Sequence, residues 1–399
     1  MGLETDFLII GGGIIGISIA RELRRRYPDT AICLIDKEPE LGEHASGRNS
    51  GVLHAGFYYT PDSLKARFTR EGNRALTAYC DERKLAINKC GKLVVARNEQ
   101  DLPALDELIR RGRENGVELH EVSAADAHVL EPRVKTCQRA LFSPTTSAVN
   151  PAEVMQALKA DARAEGIRIE TSVQYLRYDG TEIHTSKGTY RAEYVVNAAG
   201  LHADRIARDF GFSEHYRILP FKGLYLYSDE PVGALKRHVY PVPDLRNPFL
   251  GVHFTVTADG HAKIGPTALP AFWREQYAGF SGFNLQDLAE IAILQTSLLA
   301  QSNFEFRRLA MEEFSIQSRR QMVKLAGGLL EGVELGNYRR WGKPGIRAQL
   351  ADLRTRKLEM DFVLEGGKGS MHVLNAVSPG WTCAMPFAEY VCERIAIRY

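Results

Sequence analysis

The run from Asp6 to Leu23 leaves this chain few ways to begin. Phe7 to Ile10 is a short, unbroken apolar run of the kind a parallel sheet buries on both faces, and three consecutive glycines stop it. A helix has to start there. Gly11, Gly13 and Gly16 have the G-x-G-x-x-G spacing: the first for a tight turn, the second for close approach of backbone to a pyrophosphate, the third for helix-to-strand packing. A helix start adds free N–H groups and about half a positive charge of dipole. The second apolar run, Ala31 to Ile35, ends at Asp36, where a carboxylate accepts hydrogen bonds from adenosine ribose hydroxyls and disfavours a 2′-phosphate. The unit predicts a dinucleotide site without saying which dinucleotide.

The following segment, Lys37 to Tyr59, narrows the choice. It is dense in small residues and ends in His54, Tyr58 and Tyr59. Beside a bound pyrophosphate, Ser46 to Gly51 would continue along a ribityl chain and Val52 to Tyr59 would reach a larger ring. A nicotinamide enzyme has no need of this segment, so FAD is the expected cofactor.

At 399 residues the chain suggests two or three domains. A net charge of +2 gives no reason to expect nucleic acid. The acidic start lacks a basic, cleavable leader, Asp6 breaks the myristoylation pattern, and the longest apolar run, Phe7 to Ala20, is short for a membrane span. A cytoplasmic protein is the expectation. The six cysteines have no C-x-x-C or zinc spacing, so reduced thiols and no structural metal are expected.

Periodicity predicts helices over Asp62 to Arg83, Leu102 to Glu114, Pro151 to Gly166, Leu285 to Ala300, Asn303 to Lys324 and Trp381 to Arg394. Strands are expected at Cys90 to Ala96, Ile167 to Glu170 and Tyr190 to Asn197. From about residue 214, aromatic-rich alternation at Leu224 to Tyr227, His238 to Pro243, Phe249 to Val256 and Ala262 to Pro266 predicts a mostly antiparallel sheet. Arg307, Arg308, Arg319, Arg320 and Lys324 read first as a solvated helix face and second as peripheral membrane contact. Ser378, Pro379 and Gly380 are expected to open the last helix and stabilise negative charge on a reduced flavin.

These segments resemble the L-2-hydroxyglutarate oxidase/dehydrogenase family, within the FAD-dependent D-amino-acid oxidase superfamily. The residues carrying the resemblance are Gly11 to Gly16, Arg48 to Tyr59, Asp62 to Arg67, Lys222 to Tyr225, Val239 to Pro243, Gly251 to Thr255, Gly265-Pro266, Phe272 to Tyr277, Gly345 to Gln349 and His372 to Gly380. The middle blocks are specific to that family and the ends are shared across the superfamily. Trp381 departs from the small residues the family carries after Gly380, and Asp352 to Glu365, rich in Arg and Lys at Arg354, Arg356 and Lys357, departs from the family's usual pattern there.

The resemblance implies an α/β FAD-binding Rossmann-like domain of the two-dinucleotide-fold flavoprotein type, interleaved with an α+β substrate domain on a mostly antiparallel sheet. The FAD domain would take 1–83, 146–213 and 345–399, and the substrate domain 84–145 and 214–344. Expected cofactor contacts are Gly11, Gly13, Ile14, Ile15, Gly16, Asp36, Lys37, Ser46, Asn49, Ser50, Gly51, His54, Val173, Ala199, Gly200, Ser378, Pro379, Gly380 and Trp381. The implied substrate is a small L-2-hydroxy acid, with oxygen or a membrane quinone as electron acceptor. An amine oxidase of the glycine or sarcosine oxidase type is the alternative on the same fold.

Oxidising a 2-hydroxy acid needs a base for the hydroxyl proton, and histidine is suited to it. His54 and His253 lie in segments expected to face the ring, with His253 the favoured base. Two carboxylates entering a dry pocket need cations. Arg347 is the first choice because a guanidinium grips a carboxylate with two donors, and Lys222 and Arg274 are candidates for the second carboxylate. Tyr59 and Tyr240 would add phenolic hydrogen bonds.

Overall fold

The computed structural model describes residues 2–244, 251–301 and 318–395. Its organising layer is a parallel run of strands in the order Ser370–Asn375, Gly188–Asn197, β1 (Leu3–Ile10), β2 (Ile32–Ile35) and Arg168–Glu170. Between β1 and β2 runs α1 (Ile14–Arg26).

The apolar run at Phe7 to Ile10 is continuous because both faces are covered. Phe7 and Ile9 pack under α1 with the helices Leu64–Glu82, Pro151–Ala164 and Ala384–Arg394, through Ile17, Leu23, Phe68, Leu158 and Phe387. Leu8 and Ile10 point to the opposite face, against Cys33, Val173, Val195 and Ile206. Alternation of side chains along a strand produces this division, and each fully buried aliphatic side chain adds about 1.5–3 kcal/mol.

The second layer is an eight-stranded sheet in the order Arg340–Trp341, Leu226–Tyr227, Ala262–Gly265, His253–Val256, His238–Pro241, Lys92–Val95, Arg139–Ser143 and His120–Ser123. Only the pairing of His238–Pro241 with Lys92–Val95 is parallel among these neighbours, so the expectation of a mostly antiparallel sheet is met. One face packs Leu93, Val95, Val239 and Phe254 against the helix Arg319–Ala326. The other sets Val94 and Leu141 against Ala55, Phe57 and Tyr58.

Two smaller sheets bring distant segments together. Tyr216–Gly223 pairs along its whole length with Gly345–Asp352, and Val52–Leu53 pairs with Ser147–Val149. Local periodicity did not reveal Tyr216–Gly223, because its partner lies far along the chain. The strand expected at Leu224 to Tyr227 shortens to Leu226–Tyr227.

The last helix also differs from expectation. It begins at Ala384 with Cys383 as its cap, not at Trp381. The amides of Gly380 and Cys383 turn back onto the carbonyls of Val377 and Pro379, at 2.9 and 3.1 Å. Turns therefore use these donors before the helix starts, and Ser378 to Gly380 form a turn ahead of it. Of the helix expected over Asn303 to Lys324, residues 303–317, including Arg307 and Arg308, lie outside the described residues; Phe249 and Leu250 of the expected strand do too. Among the described residues no helix is long and apolar enough to cross a membrane. All six cysteines are free thiols.

Candidate active site

At the C-terminal ends of the parallel strands, where an open α/β sheet binds its ligands, lies a cavity of about 770 Å³. Its floor is the glycine turn. Gly11 has φ +109°, a conformation that favours glycine, and a Cβ there would lie 2.5 Å from the Ala198 carbonyl oxygen. A Cβ on Gly16 would meet the Gly11 carbonyl oxygen at 1.9 Å, so this glycine lets α1 sit directly on the turn. The first turn of α1 holds no acidic residue to compete with a phosphate. Ser46 Oγ accepts the Ile14 N–H at 2.9 Å, fastening the small-residue loop to the helix start.

Asp36 lines one end of the cavity. Its carboxylate accepts the N–H groups of Gly12 and Glu38 at 2.6 and 2.8 Å, and burial raises its pKa from the ordinary value. Val173, Ala199 and Gly200 share that end with Tyr175 and Asp209. Lys37 lines the wall and is tied to Glu38 and Glu275 at 2.6 and 2.8 Å. Glu38, His44 and Glu275 could bring three ligand atoms together for a metal ion. Lys37 already lies between the two carboxylates, and His44 bonds Glu38 at 2.8 Å and Tyr277 at 2.6 Å, so the cluster reads as an ion-pair network.

The far end is formed by His54, Tyr225, Arg347 and the turn Ser378, Pro379, Gly380 and Trp381. Trp381 is 6% exposed and donates its indole N–H to the Ser46 carbonyl at 3.2 Å, so its large ring is a built part of the wall. Gly13, Ile14, Ile15, Asn49 and Ser50 line the stretch between the ends. This donor set fits a dinucleotide joined to a second ring: a glycine cradle, a ribose acid, then small residues leading to histidine and arginine.

Several expected site residues are placed elsewhere. Gly16 and Gly51 do not line the cavity: Gly16 lies beneath the turn, and Gly51 packs against the Val149 carbonyl. Arg274 is fully buried and paired with Asp204 at 2.7 and 3.0 Å, with its guanidinium also on the Leu201 carbonyl. The expectation that it binds a substrate carboxylate is corrected, because its charge is already met by Asp204, with Glu290 at 3.4 Å and Asp287 at 3.8 Å beside it. Lys222 sits in register with Ile346 on the strand beside Arg347, off the cavity lining.

His253, the expected base, does not line the cavity either. It is 5% exposed, stacks on Tyr240 at 3.7 Å and bonds the Gly251 carbonyl through Nδ1 at 2.9 Å. His54 lines the cavity and His253 stands behind it. Burial, with the nearby Lys92 charge, holds the His54 imidazole well below its ordinary pKa, and His253 is lowered in the same direction chiefly by burial. Tyr59 and Tyr240 are also off the lining, and burial raises both phenols far above their ordinary range.

Sequence reasoning missed Lys92, His238, Tyr225, Lys65 and Lys263. Burial lowers Lys65 to about 8 and Lys263 to about 8, and the Lys263 ammonium donates to the Ser50 carbonyl at 3.1 Å. A lysine at the head of the apolar strand Lys92–Val95 was the available signal, since an unpaired charge is rarely buried without a role.

A parallel sheet with this glycine cradle, beside an antiparallel sheet and two smaller sheets that bring His54, next to Val52–Leu53, and Arg347, on Gly345–Asp352, to the far end, is the architecture of a flavin-dependent oxidoreductase. The family model described as FAD dependent oxidoreductase matches residues 6–394. A protein named L-2-hydroxyglutarate dehydrogenase, mitochondrial, from Nematostella vectensis is 36% identical over 99% of this chain and 91% of its own length. The Escherichia coli K12 protein named L-2-hydroxyglutarate dehydrogenase is 34% identical over 98% of this chain and 93% of its own. The chain belongs to the FAD-dependent oxidoreductase family, in its L-2-hydroxyglutarate oxidase/dehydrogenase branch.

Among solved structures, L-α-glycerophosphate oxidase from Mycoplasma pneumoniae with FAD bound has a TM-score of 0.76 at 22% identity, over 98% of this chain and 94% of that one. Glycine oxidase from Geobacillus kaustophilus has a TM-score of 0.74 at 19% identity, over 100% and 96%. These two likenesses establish the fold.

Proposed function

We propose that this enzyme oxidises L-2-hydroxyglutarate to 2-oxoglutarate, with His54 as the base and Arg347 gripping a substrate carboxylate. The observation that carries the reading is that His54 and Arg347 both line the cavity, with the buried lysines Lys65, Lys92 and Lys263 in the surrounding segments. A dianionic substrate suits such a concentration of cations, because carboxylates leaving water need positive partners. The names of the 33–36% identical relatives support the same substrate.

FAD, when bound, supplies a hydride acceptor. The protein holds the hydroxyl proton in the meantime: a neutral His54 takes it as the C2 hydride departs. Arg347 orients the substrate with two donors, a geometry that a lysine's point charge does not impose. Tyr225, also on the wall, would border the substrate. In this reading 1–83, 146–213 and 345–399 hold the cofactor, and 84–145 and 214–344 close over the substrate.

Anaerobic titration tests the proposal. L-2-hydroxyglutarate should bleach the flavin absorbance with formation of 2-oxoglutarate; bleaching by glycine or sarcosine and not by the hydroxy acid would move the reading to C–N oxidation. The electron acceptor is oxygen or a membrane quinone in this reading, and oxygen uptake measured against reduction of a soluble quinone analogue separates the two.

A further inference from the structure

Lys92 is fully buried at the head of its strand, and its Nζ has no hydrogen-bond partner among the described residues. Three ring faces surround the ammonium: Phe57 at 4.8 Å, Tyr58 at 4.6 Å and Tyr240 at 4.7 Å to their centroids. Such a cage favours a cation through the ring quadrupoles. The Tyr240 ring also stacks on His253 at 3.7 Å, so one aromatic ring joins the lysine to the histidine pair. His54 Nδ1, Tyr58 Oη and His238 Nε2 are buried polar atoms that likewise lack partners. A caged cation beside unsatisfied imidazoles is a costly arrangement unless it serves the site.

We propose that Lys92 is a positioning residue of this site: its caged charge adds to burial in keeping the imidazoles of His54 and His253 unprotonated, so that the base is free when substrate arrives. The proposal rests on the reading of His54 as base. It acts through charge and not through contact with substrate, since Lys92 does not line the cavity.

The charge state of Lys92 suits the task. Burial lowers it to about 7, so it is largely charged through the range around 6.5 in which an ordinary histidine would take up a proton. As pH rises and Lys92 loses its charge, the histidines no longer need it. Other charged groups push the same way: Lys263 from the strand Ala262–Gly265 acts on His238, and Arg347 from Gly345–Asp352 acts on both His54 and His253. His238, directly paired with Lys92 in the sheet, is lowered to about 3. Tyr58, Tyr59, Tyr225 and Tyr240 stay as neutral phenols, and the thiol of Cys90 is pushed up to about 11.

The test uses the FAD-loaded enzyme and Lys92→Met, which keeps the length of the stem and removes the charge. Imidazoles labelled with carbon-13 at Cε1, assigned through His54→Asn and His253→Asn, are titrated by NMR. The midpoints of His54 and His253 should rise by about one unit, and the acid limb of kcat/KM for L-2-hydroxyglutarate should move to higher pH by the same amount, with little change at about pH 9. Lys92→Arg should restore both. Unchanged midpoints together with an unchanged acid limb in Lys92→Met overturn the proposal. Should Lys92→Met fail to retain FAD, Phe57→Leu removes one face of the cage; a smaller rise of the midpoints is then expected, and none overturns it. If L-2-hydroxyglutarate does not reduce the wild-type flavin, the substrate reading fails while the histidine titration still decides the role of Lys92.

Discussion

Arg274 and Asp204 are both inaccessible to solvent and meet through two hydrogen bonds, while Asp204 also accepts the Ile218 N–H at 3.1 Å. Arg347, on a strand edge facing the cavity, is only half-buried. The two arginines should therefore fail differently. Arg274→Met should cost about 3–5 kcal/mol of stability in a urea titration by stranding Asp204, with the affinity of the folded enzyme for hydroxy acid unchanged. Arg347→Met should cost less stability than Arg274→Met and weaken binding of the hydroxy acid about 10- to 150-fold, the equivalent of about 1.5–3 kcal/mol for hydrogen bonds to a charged group. At this scale the sequence was only half legible. His54 and Arg347 line the cavity, as their neighbours in the chain suggested, but His253 was the favoured base and Arg274 a candidate for the second carboxylate, because residue type and local pattern do not encode which side of a strand meets the cavity.

At the scale of elements, the turn between β1 and α1 is the most tightly determined piece of the fold. Gly16→Ala would place a methyl group 1.9 Å from the Gly11 carbonyl oxygen, a backbone atom that cannot swing aside. Overpacking of this kind costs about 1–3 kcal/mol or more, and here it also separates the helix start from the phosphate site. FAD retained through gel filtration should fall sharply in Gly16→Ala, with a lower melting temperature. Gly336→Ala, where the new methyl group meets nothing within 4 Å, should change neither. The helices Leu102–Glu114 and Pro151–Ala164 were readable from their apolar spacing. The start of the last helix was not, because whether Ser378 to Gly380 cap it or turn before it depends on which carbonyls the surrounding fold brings to their amides.

At the scale of the whole molecule, the cavity draws its wall from segments spread over most of the chain, from Ile10 to Thr382. FAD seated there binds the folded protein and not the unfolded chain, so it should stabilise both sheets together. With FAD at about 100 times its Kd the gain is about 2.7 kcal/mol. Removing FAD should lower the melting temperature, and adding it back should raise the temperature progressively with concentration; a melting point indifferent to FAD would mean the cavity is not its site.

The sequence by itself determined the dinucleotide unit and the choice of FAD, because each rests on residues close together in the chain whose spacing carries its own physical reason, and it identified the family through a resemblance carried by blocks from Gly11 to Gly380. Tertiary structure alone decided that His54 faces the cavity with His253 behind it, that Arg274 is spent on Asp204, and that Lys92 lies in an aromatic cage. Each of those outcomes depends on burial and pairing between segments remote in sequence, and the free energy of a buried charge is set by neighbours that no local pattern names.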